Sequence, residues 1–276
     1  MSDLPSALAV MEAAARQAGT AIMAYFQPGS RVASHVRLQD KGRNNPVTKA
    51  DMEANRLLHD TLLAAFPDHG WLSEESADSP DRLCCQRVWI VDPMDGTKEF
   101  VKGLPQFAIS IALVDAGQPI AACIYNPATA ELFTATCYGG AHLNGQRIST
   151  SSRQQLPGAS CLASHSESQR GEWIPFNQDL MITQMGSIAY KLALVAAGRF
   201  DLSFTLTPKN EWDFCAGALL LQEAGGRISH KDGRAFCFNQ HNPQVRSVLA
   251  SNGHLHDLLL RYLESTPLSP DRQSVP

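Results

Sequence analysis

Asp92 and Asp95 stand three residues apart at the end of an apolar run, Val88-Trp89-Ile90-Val91, with Pro93 and Met94 between them and Gly96-Thr97 after them. An apolar run that ends on a carboxylate reads as a buried strand with charge at its exit. Pro93 fixes its own φ and biases Asp92 toward extended backbone, so the sequence predicts a short, stiff turn that holds both carboxylates. Clustered carboxylate oxygens are the ligands that hard divalent cations such as Mg²⁺ take. Gly96 lets the backbone approach a ligand closely, and Thr97 adds a hydroxyl. The combination reads as a metal-assisted phosphate site. Asp-Pro and Asp-Gly are also ordinary turn formers, so this segment alone leaves a surface turn open.

Three further segments place acids beside apolar neighbours. Glu74 and Glu75 follow Trp71-Leu72-Ser73, and Glu211-Trp212-Asp213 opens a very apolar stretch, Phe214 to Leu221. Thr48 and Asp51 begin another helical pattern. Each has a plain alternative. Asp213 would complement a helix dipole, Asp51 would be an N3 partner to a Thr48 cap, and adjacent glutamates usually sit in solvated loops.

Elements that would carry these residues can be read from periodicity. Leu8, Met11, Ala15, Ala18, Ile22 and Phe26 recur at helical spacing over residues 6–26. A polar stretch over residues 30–47 reads as a loop or loose hairpin, and a second helix runs to about Phe66. From Val88 to Ile148 the pattern becomes strands separated by Asp-Ala-Gly, Asn-Pro, Gly-Gly and Asn-Gly turns, an antiparallel meander. Beyond Ser149–Gly158 strands and helices alternate: strand 159–163, helix 187–197, strand 200–206, helix 213–224, strand 227–229, strand 247–251 and helix 253–263. The tail from Ser265 is rich in Pro and Ser and reads as mobile. The expected fold class is α+β followed by α/β, with a boundary near residue 150: residues 1–150 hold most of the acids, and residues 151–276 carry Asp213.

The composition bounds the partners. The chain has 276 residues, 44% hydrophobic and 18% charged, with a formal net charge of −4. That supports a large core and lacks the basic footprint of a protein that coats nucleic acid. No apolar run reaches the length of a membrane span, and Met1-Ser2-Asp3-Leu4-Pro5 lacks a secretory n-region. Seven scattered cysteines without a C-x-x-C spacing read as reduced thiols of a cytoplasmic protein.

In order, the chain reads T-x-x-D, E-E, D-P-M-D-G-T, G-S, W-D and E-A-G-G. This order resembles the inositol monophosphatase-like superfamily of metal-dependent, lithium-sensitive phosphatases over about residues 5–264. The resemblance implies a layered αβαβα sandwich. It implies that Glu74, Asp92 and the Met94 carbonyl hold one Mg²⁺, that Asp92, Asp95 and Asp213 hold a second, and that Asp51 assists through a third, weaker metal or through Thr97. Gly96 and Thr97 would contact the substrate phosphate, and Thr97 with Glu74 would orient the attacking water. The implied partner is a small phosphorylated substrate; no nucleic-acid polymer or membrane is implied, and a homodimer is compatible.

Residues outside the shared signatures bear on the substrate. Lys98-Glu99-Phe100 after D-G-T resembles the 3′(2′),5′-bisphosphate nucleotidases, as do Gly186-Ser187 followed by Lys191. The substrate-binding set expected on this basis is Gly96, Thr97, Lys98, Gly186, Ser187, Lys191 and Glu211. A lysine suits a substrate with an extra phosphate, as a point charge. Against this, the Gly186–Lys191 spacing matches the inositol phosphatases; a second departure, Ser73 where many members have a glycine before Glu-Glu, is expected to change loop conformation only. The first expectation is removal of the 3′-phosphate from adenosine 3′,5′-bisphosphate. The alternatives are an inositol 1-phosphate or broad sugar phosphatase and, more remotely, a regulatory binding protein.

Overall fold

The computed structural model describes residues 3–29, 39–40, 46–47 and 49–266. The chain opens with α1 (Leu4–Met23), a two-strand hairpin of β1 (Gln39–Asp40) and β2 (Pro46–Val47), and α2 (Lys49–Ala65). The expected Thr48 cap and nearly all of the expected mobile tail lie outside the described residues. A seven-stranded sheet follows: β3 (Gly70–Ser73), β4 (Arg87–Asp95), β5 (Ala108–Asp115), β6 (Gln118–Asn126), β7 (Glu131–Thr136), β8 (Gly140–Leu143) and β9 (Gln146–Ile148). Its strands lie in sequence order, antiparallel except for the parallel pair β3–β4. A 3₁₀ turn at Pro80–Cys84 bridges β3 and β4, and a short α3 (Thr97–Val101) follows β4.

The second sheet is mixed, in the order β11-β10-β12-β16-β14. The elements are β10 (Ala159–Ala163), α4 (His165–Gln169), β11 (Leu180–Gln184), α5 (Ile188–Ala196), β12 (Leu202–Thr205), β13 (Lys209–Asn210), α6 (Glu211–Glu223), β14 (Arg227–Ser229), β15 (Gln244–Val245), β16 (Val248–Ser251) and α7 (His256–Ser265). Sequence periodicity did not reveal β3, β11, α3 or α4, all five residues or shorter.

Side-chain alternation explains the layers. In β4, Val88 and Ile90 point to one face while Trp89 and Val91 point to the other. The Trp89 face packs on α1 and α2 through Met11, Ala14, Ala18, Leu58 and Leu62. The Val88 face packs on α5 and α6, which also cover Leu162, Val248 and Ala250 of the second sheet. The far side of that sheet buries Cys161, Leu202 and Leu249 with Leu259 and Leu263 of α7. The order is helix, sheet, helix, sheet, helix. Both faces of the first sheet are covered, so its central strands are nearly continuously apolar.

The middle layer is the driest. Every residue of α5 is buried, as are Phe214 to Leu221 of α6. A helix that is apolar all round must be enclosed on all sides. Gly217 permits the close approach of the two helices, because a Cβ there would lie 2.5 Å from Leu192 Cδ1. Leu219, Leu220 and Leu221 each contribute about 1.5–3 kcal/mol by leaving water.

One correction concerns the acid-bearing segment. The strand does not stop in a turn at Asp92 but runs on to Asp95. Against β5, Asp92 pairs with Ser110 and Asp95 with Ala108, so three steps on one strand oppose two on the other. This is a β-bulge, and it suits Pro93, which has no N–H to give to the ladder.

His256 fixes α7 to the second sheet. Ser229 Oγ donates to the His230 carbonyl at 2.7 Å, so it accepts from His256 Nε2–H at 2.8 Å. Nδ1 then accepts from Ser251 Oγ at 3.1 Å, which makes the ring neutral. Burial pushes its pKa down from 6.5 to about 4. Below pH 6.5 the unfolded chain binds a proton that the folded chain refuses, so stability falls as pH drops from 6.5 toward 4. His256→Gln is expected to flatten the slope of unfolding free energy against pH in that window, measured by urea titration; an unchanged slope would refute the assignment.

Candidate active site

Four elements from both halves of the chain converge where the first sheet meets the middle helices. The bulge decides the geometry. Residues three apart on a regular strand point to opposite faces. The extra residue restores the phase, so Asp92 and Asp95, opposite Ser110 and Ala108, both face the middle layer. Asp95 Oδ2 there accepts from Ser187 Oγ and from the Ala189 N–H, both at 2.7 Å, at the start of α5. Asp213 projects from the first turn of α6, where its Oδ2 caps the Asn210 N–H at 2.9 Å. Glu74 comes from the turn after β3, and its N–H reaches the Val91 carbonyl at 3.4 Å.

Glu74, Asp92 and Asp213 each offer an oxygen, and these oxygens lie within 4.8 Å of one another. Asp92 Oδ1 accepts from the Met94 N–H at 3.0 Å. Its Oδ2 is buried without a hydrogen-bond partner. An orphaned carboxylate oxygen beside two other carboxylates is costly unless a cation completes it. The donor set is all oxygen, with no thiolate or imidazole, and it fits a hard divalent ion.

The electrostatics of the carboxylates agree with this. Burial holds the Asp92 carboxyl well above its usual range, and the charges of Glu74, Asp95, Asp213 and Asp51 add to this. Burial and then Asp95 push Asp213 up to about 7. Asp95 is raised by burial, against the hydrogen bonds from Ser187 and Ala189. Buried like charges raise one another's affinity for protons, and for cations by the same physics.

Thr97 stands beside this cluster. Its Oγ1 lies 3.1 Å from the Met94 carbonyl and 3.4 Å from Asp51 Oδ2, on the buried face of α2. Gly96 adopts φ +99°, and a Cβ there would meet the Gln106 carbonyl at 2.6 Å, so the close approach that requires glycine is to the β5 side of the turn.

A cleft of about 930 Å³ opens over the cluster. Glu74, Met94, Asp95, Gly96, Thr97, Lys98, Gly186, Ser187, Lys191 and Asp213 all line it. Asp51 and Asp92 lie behind that lining. Lys191 is buried, not a helix-surface residue; desolvation lowers its pKa, and the Glu167 charge opposes this. Gly186 donates its N–H to Gln106 Oε1 at 3.0 Å, and a Cβ there would sit 2.4 Å from Glu99 Cγ. The Ser187 hydroxyl accepts from the Tyr190 N–H as well as donating to Asp95, so it orders the acid.

Glu211 is a correction. It was expected at the substrate, but it does not line the cleft. Its carboxylate accepts from the Asn239 and Gln240 N–H groups at 2.6 and 2.9 Å. Two helical steps turn it about 200° from Asp213, onto the other side of α6. Conversely, Lys102, His165, Arg170 and Lys209 line the cleft and escaped the sequence reading. Only Lys209 carried a signal, lying four residues before Asp213.

Comparison with known proteins agrees with this architecture. The sequence pattern of the inositol monophosphatase family matches residues 3–268. An inositol-1-monophosphatase of Rhizobium meliloti is 37% identical over 257 residues, covering 88% of this chain and 94% of that protein. Nus factor SuhB of Escherichia coli K12 is 37% identical over 225 residues, 78% of this chain and 82% of that one. Among solved structures, the extragenic suppressor protein suhB of Bartonella henselae superimposes with a TM-score of 0.82 at 32% identity, over 94% of this chain and 99% of the other. The inositol monophosphatase of Anabaena gives 0.80 at 28% identity, over 96% and 98%. With its ordered acids, its five alternating layers and a match along nearly its whole length, the chain belongs to the inositol monophosphatase family of metal-dependent phosphatases.

Proposed function

We propose that Glu74, Asp92 and Asp213, with Asp95 and the Met94 carbonyl, hold Mg²⁺ and that the chain hydrolyses a small phosphate monoester. The convergence of the Glu74, Asp92 and Asp213 carboxylates, with Asp92 Oδ2 buried and lacking a hydrogen bond, carries this reading. Two ions are expected, with a weaker third near Asp51. When bound, the cation neutralises charge on the phosphate and makes water more acidic.

The chain's own residues do the rest. Thr97 Oγ1, held by Met94 and Asp51, and Glu74 orient water for in-line attack on phosphorus. As the new P–O bond forms and the ester P–O bond breaks, the water proton passes toward Glu74 or, through Thr97, toward Asp51. The leaving oxygen takes a proton from solvent. Nothing in this arrangement calls for a covalent nucleophile.

For the substrate we favour a nucleotide with two phosphates, adenosine 3′,5′-bisphosphate first. Lys98, Lys191 and Lys209 line the cleft and complement a second anionic group. Inositol 1-phosphate is the second reading, favoured by the 37% identity to a protein named inositol-1-monophosphatase. Among the described residues no helix is long and apolar enough to cross a membrane.

Four outcomes test these assignments. Phosphate release is expected to vanish on chelation, return with Mg²⁺ and be inhibited by Li⁺; full activity after chelation would sink the metal reading. Thr97→Ala is expected to lower kcat by roughly 10²-fold, as for loss of a proton-transfer or positioning group, with no phosphothreonine trapped in the wild type. Asp92→Asn removes a buried, uncompensated charge. At pH 8 it is expected to raise the Tm of the chelated protein while abolishing the Tm gain that Mg²⁺ gives the wild type; a lower chelated Tm would count against it. Lys191→Ala is expected to raise KM for adenosine 3′,5′-bisphosphate by roughly 10–150-fold and to leave a simple monophosphate nearly unaffected. Equal losses on both substrates, or a wild-type preference for inositol 1-phosphate in kcat/KM, would reverse the order of the two readings.

A further inference from the structure

Glu74 differs from the other acids in how it is held. Asp92 and Asp95 lie on β4, Asp51 on α2 and Asp213 on α6, whereas Glu74 sits in the turn beyond β3. Its charge acts on Asp92, so the placement of this turn bears on the cluster.

The structure shows a clasp at each end of the Glu74 turn. At the near end, Ser73 Oγ donates to Asn55 Oδ1 at 2.8 Å, and Asn55 Nδ2 donates to Ser76 Oγ at 3.0 Å. Trp71 Nε1 donates to the same Ser76 oxygen at 3.2 Å. Asn55 lies one helical turn after Asp51 on α2, so this clasp ties the turn to the helix that carries Asp51. Ser73, at the departure noted in the sequence, supplies the hydroxyl for the first of these bonds.

At the far end, the fully buried Arg82 grips Asp78 with two bonds, Nε to Oδ1 at 2.7 Å and Nη2 to Oδ2 at 3.0 Å. Two further donors reach Asn239 Oδ1 at 2.6 Å and the Gln240 carbonyl at 3.0 Å. The N–H groups of those same two residues are held by Glu211, two residues before Asp213. Arg82 thus links the turn that carries Glu74 to the helix start that carries Asp213.

We propose that Asn55 and Arg82 are positioning residues that fix Glu74 relative to Asp213 and thereby set the protein's affinity for a divalent cation in the absence of substrate. The proposal rests on the metal reading above. Neither residue lines the cleft. Removing the partner that orients a metal ligand costs roughly 10–100-fold in metal affinity.

The test is calorimetric titration of Mg²⁺ alone into the wild type, Asn55→Ala and Arg82→Met, with phosphate release measured against Mg²⁺ concentration in parallel. Both variants are expected to bind Mg²⁺ about 10-fold more weakly, the low end of that range, because they act on Glu74 through Ser73, Ser76 and Asp78 and do not bond it directly. At saturating Mg²⁺, kcat and the substrate KM are expected to stay within about twofold of wild type, and the Tm gain on adding Mg²⁺ is expected to shrink. A purely structural role would lower Tm equally with and without the ion. Should Arg82→Met fail to fold, Asp78→Ala opens the same clasp from a partly exposed side chain. Wild-type Mg²⁺ affinity in folded Asn55→Ala and Asp78→Ala would overturn the proposal. A wild type that binds no Mg²⁺ would remove the metal reading itself, and the proposal with it.

Discussion

Like charges gathered in a buried place are the constraint to which the rest of this protein answers. Glu74, Asp92, Asp95, Asp213 and Asp51 act on one another, and burial plus mutual repulsion keeps their protons on above the usual carboxylate range where a shift is resolved. Such a cluster works against folding, so the scaffold must hold it. The five acids are anchored on four segments, β4, α2, α6 and the turn after β3, and donors take up part of the hydrogen-bonding capacity of Asp92, Asp95 and Asp213. The oxygen left without a donor, Asp92 Oδ2, marks where the protein alone leaves the site incomplete.

The middle helical layer makes this possible. Because all of α5 and Phe214 to Leu221 of α6 are buried, their first turns stay fixed against the exit of β4. The start of α5 supplies Ser187 and the Ala189 N–H to Asp95, while the start of α6 supplies Asp213. The same helices line the cleft with Lys191, which is buried. The apolar packing that joins the two sheets is therefore also what aligns acids separated by more than a hundred residues of sequence.

Much of the architecture was legible in the sequence. Long periodic segments such as α1, β6, α5 and α6 announced themselves, because amphipathic or wholly apolar patterns of that length have few other fates. Short elements such as β3, β11 and α4 did not, since four or five residues carry too little pattern and form through neighbours supplied from elsewhere. The acids of the site stood out because carboxylates beside apolar runs need an explanation. Glu211 misled for the same reason: an acid beside a site residue looks like part of the site until the helix turns it toward Asn239 and Gln240. Arg82 and Asn55 left no mark, because nothing local tells a buried polar side chain from an exposed one.

By itself the sequence determined the chemistry on offer and the order in which it is delivered: hard oxygen ligands, a hydroxyl beside them, lysines in reserve and apolar elements to carry them. Only the tertiary structure decided which of these groups meet. Asp92 and Asp95, three residues apart, would face opposite sides of a regular strand, and a single extra residue against Ser110 and Ala108 turns both toward the middle layer. That choice belongs to the pairing of β4 with β5 and not to either strand alone, because strand register is a property of two chains of backbone hydrogen bonds matched against one buried face.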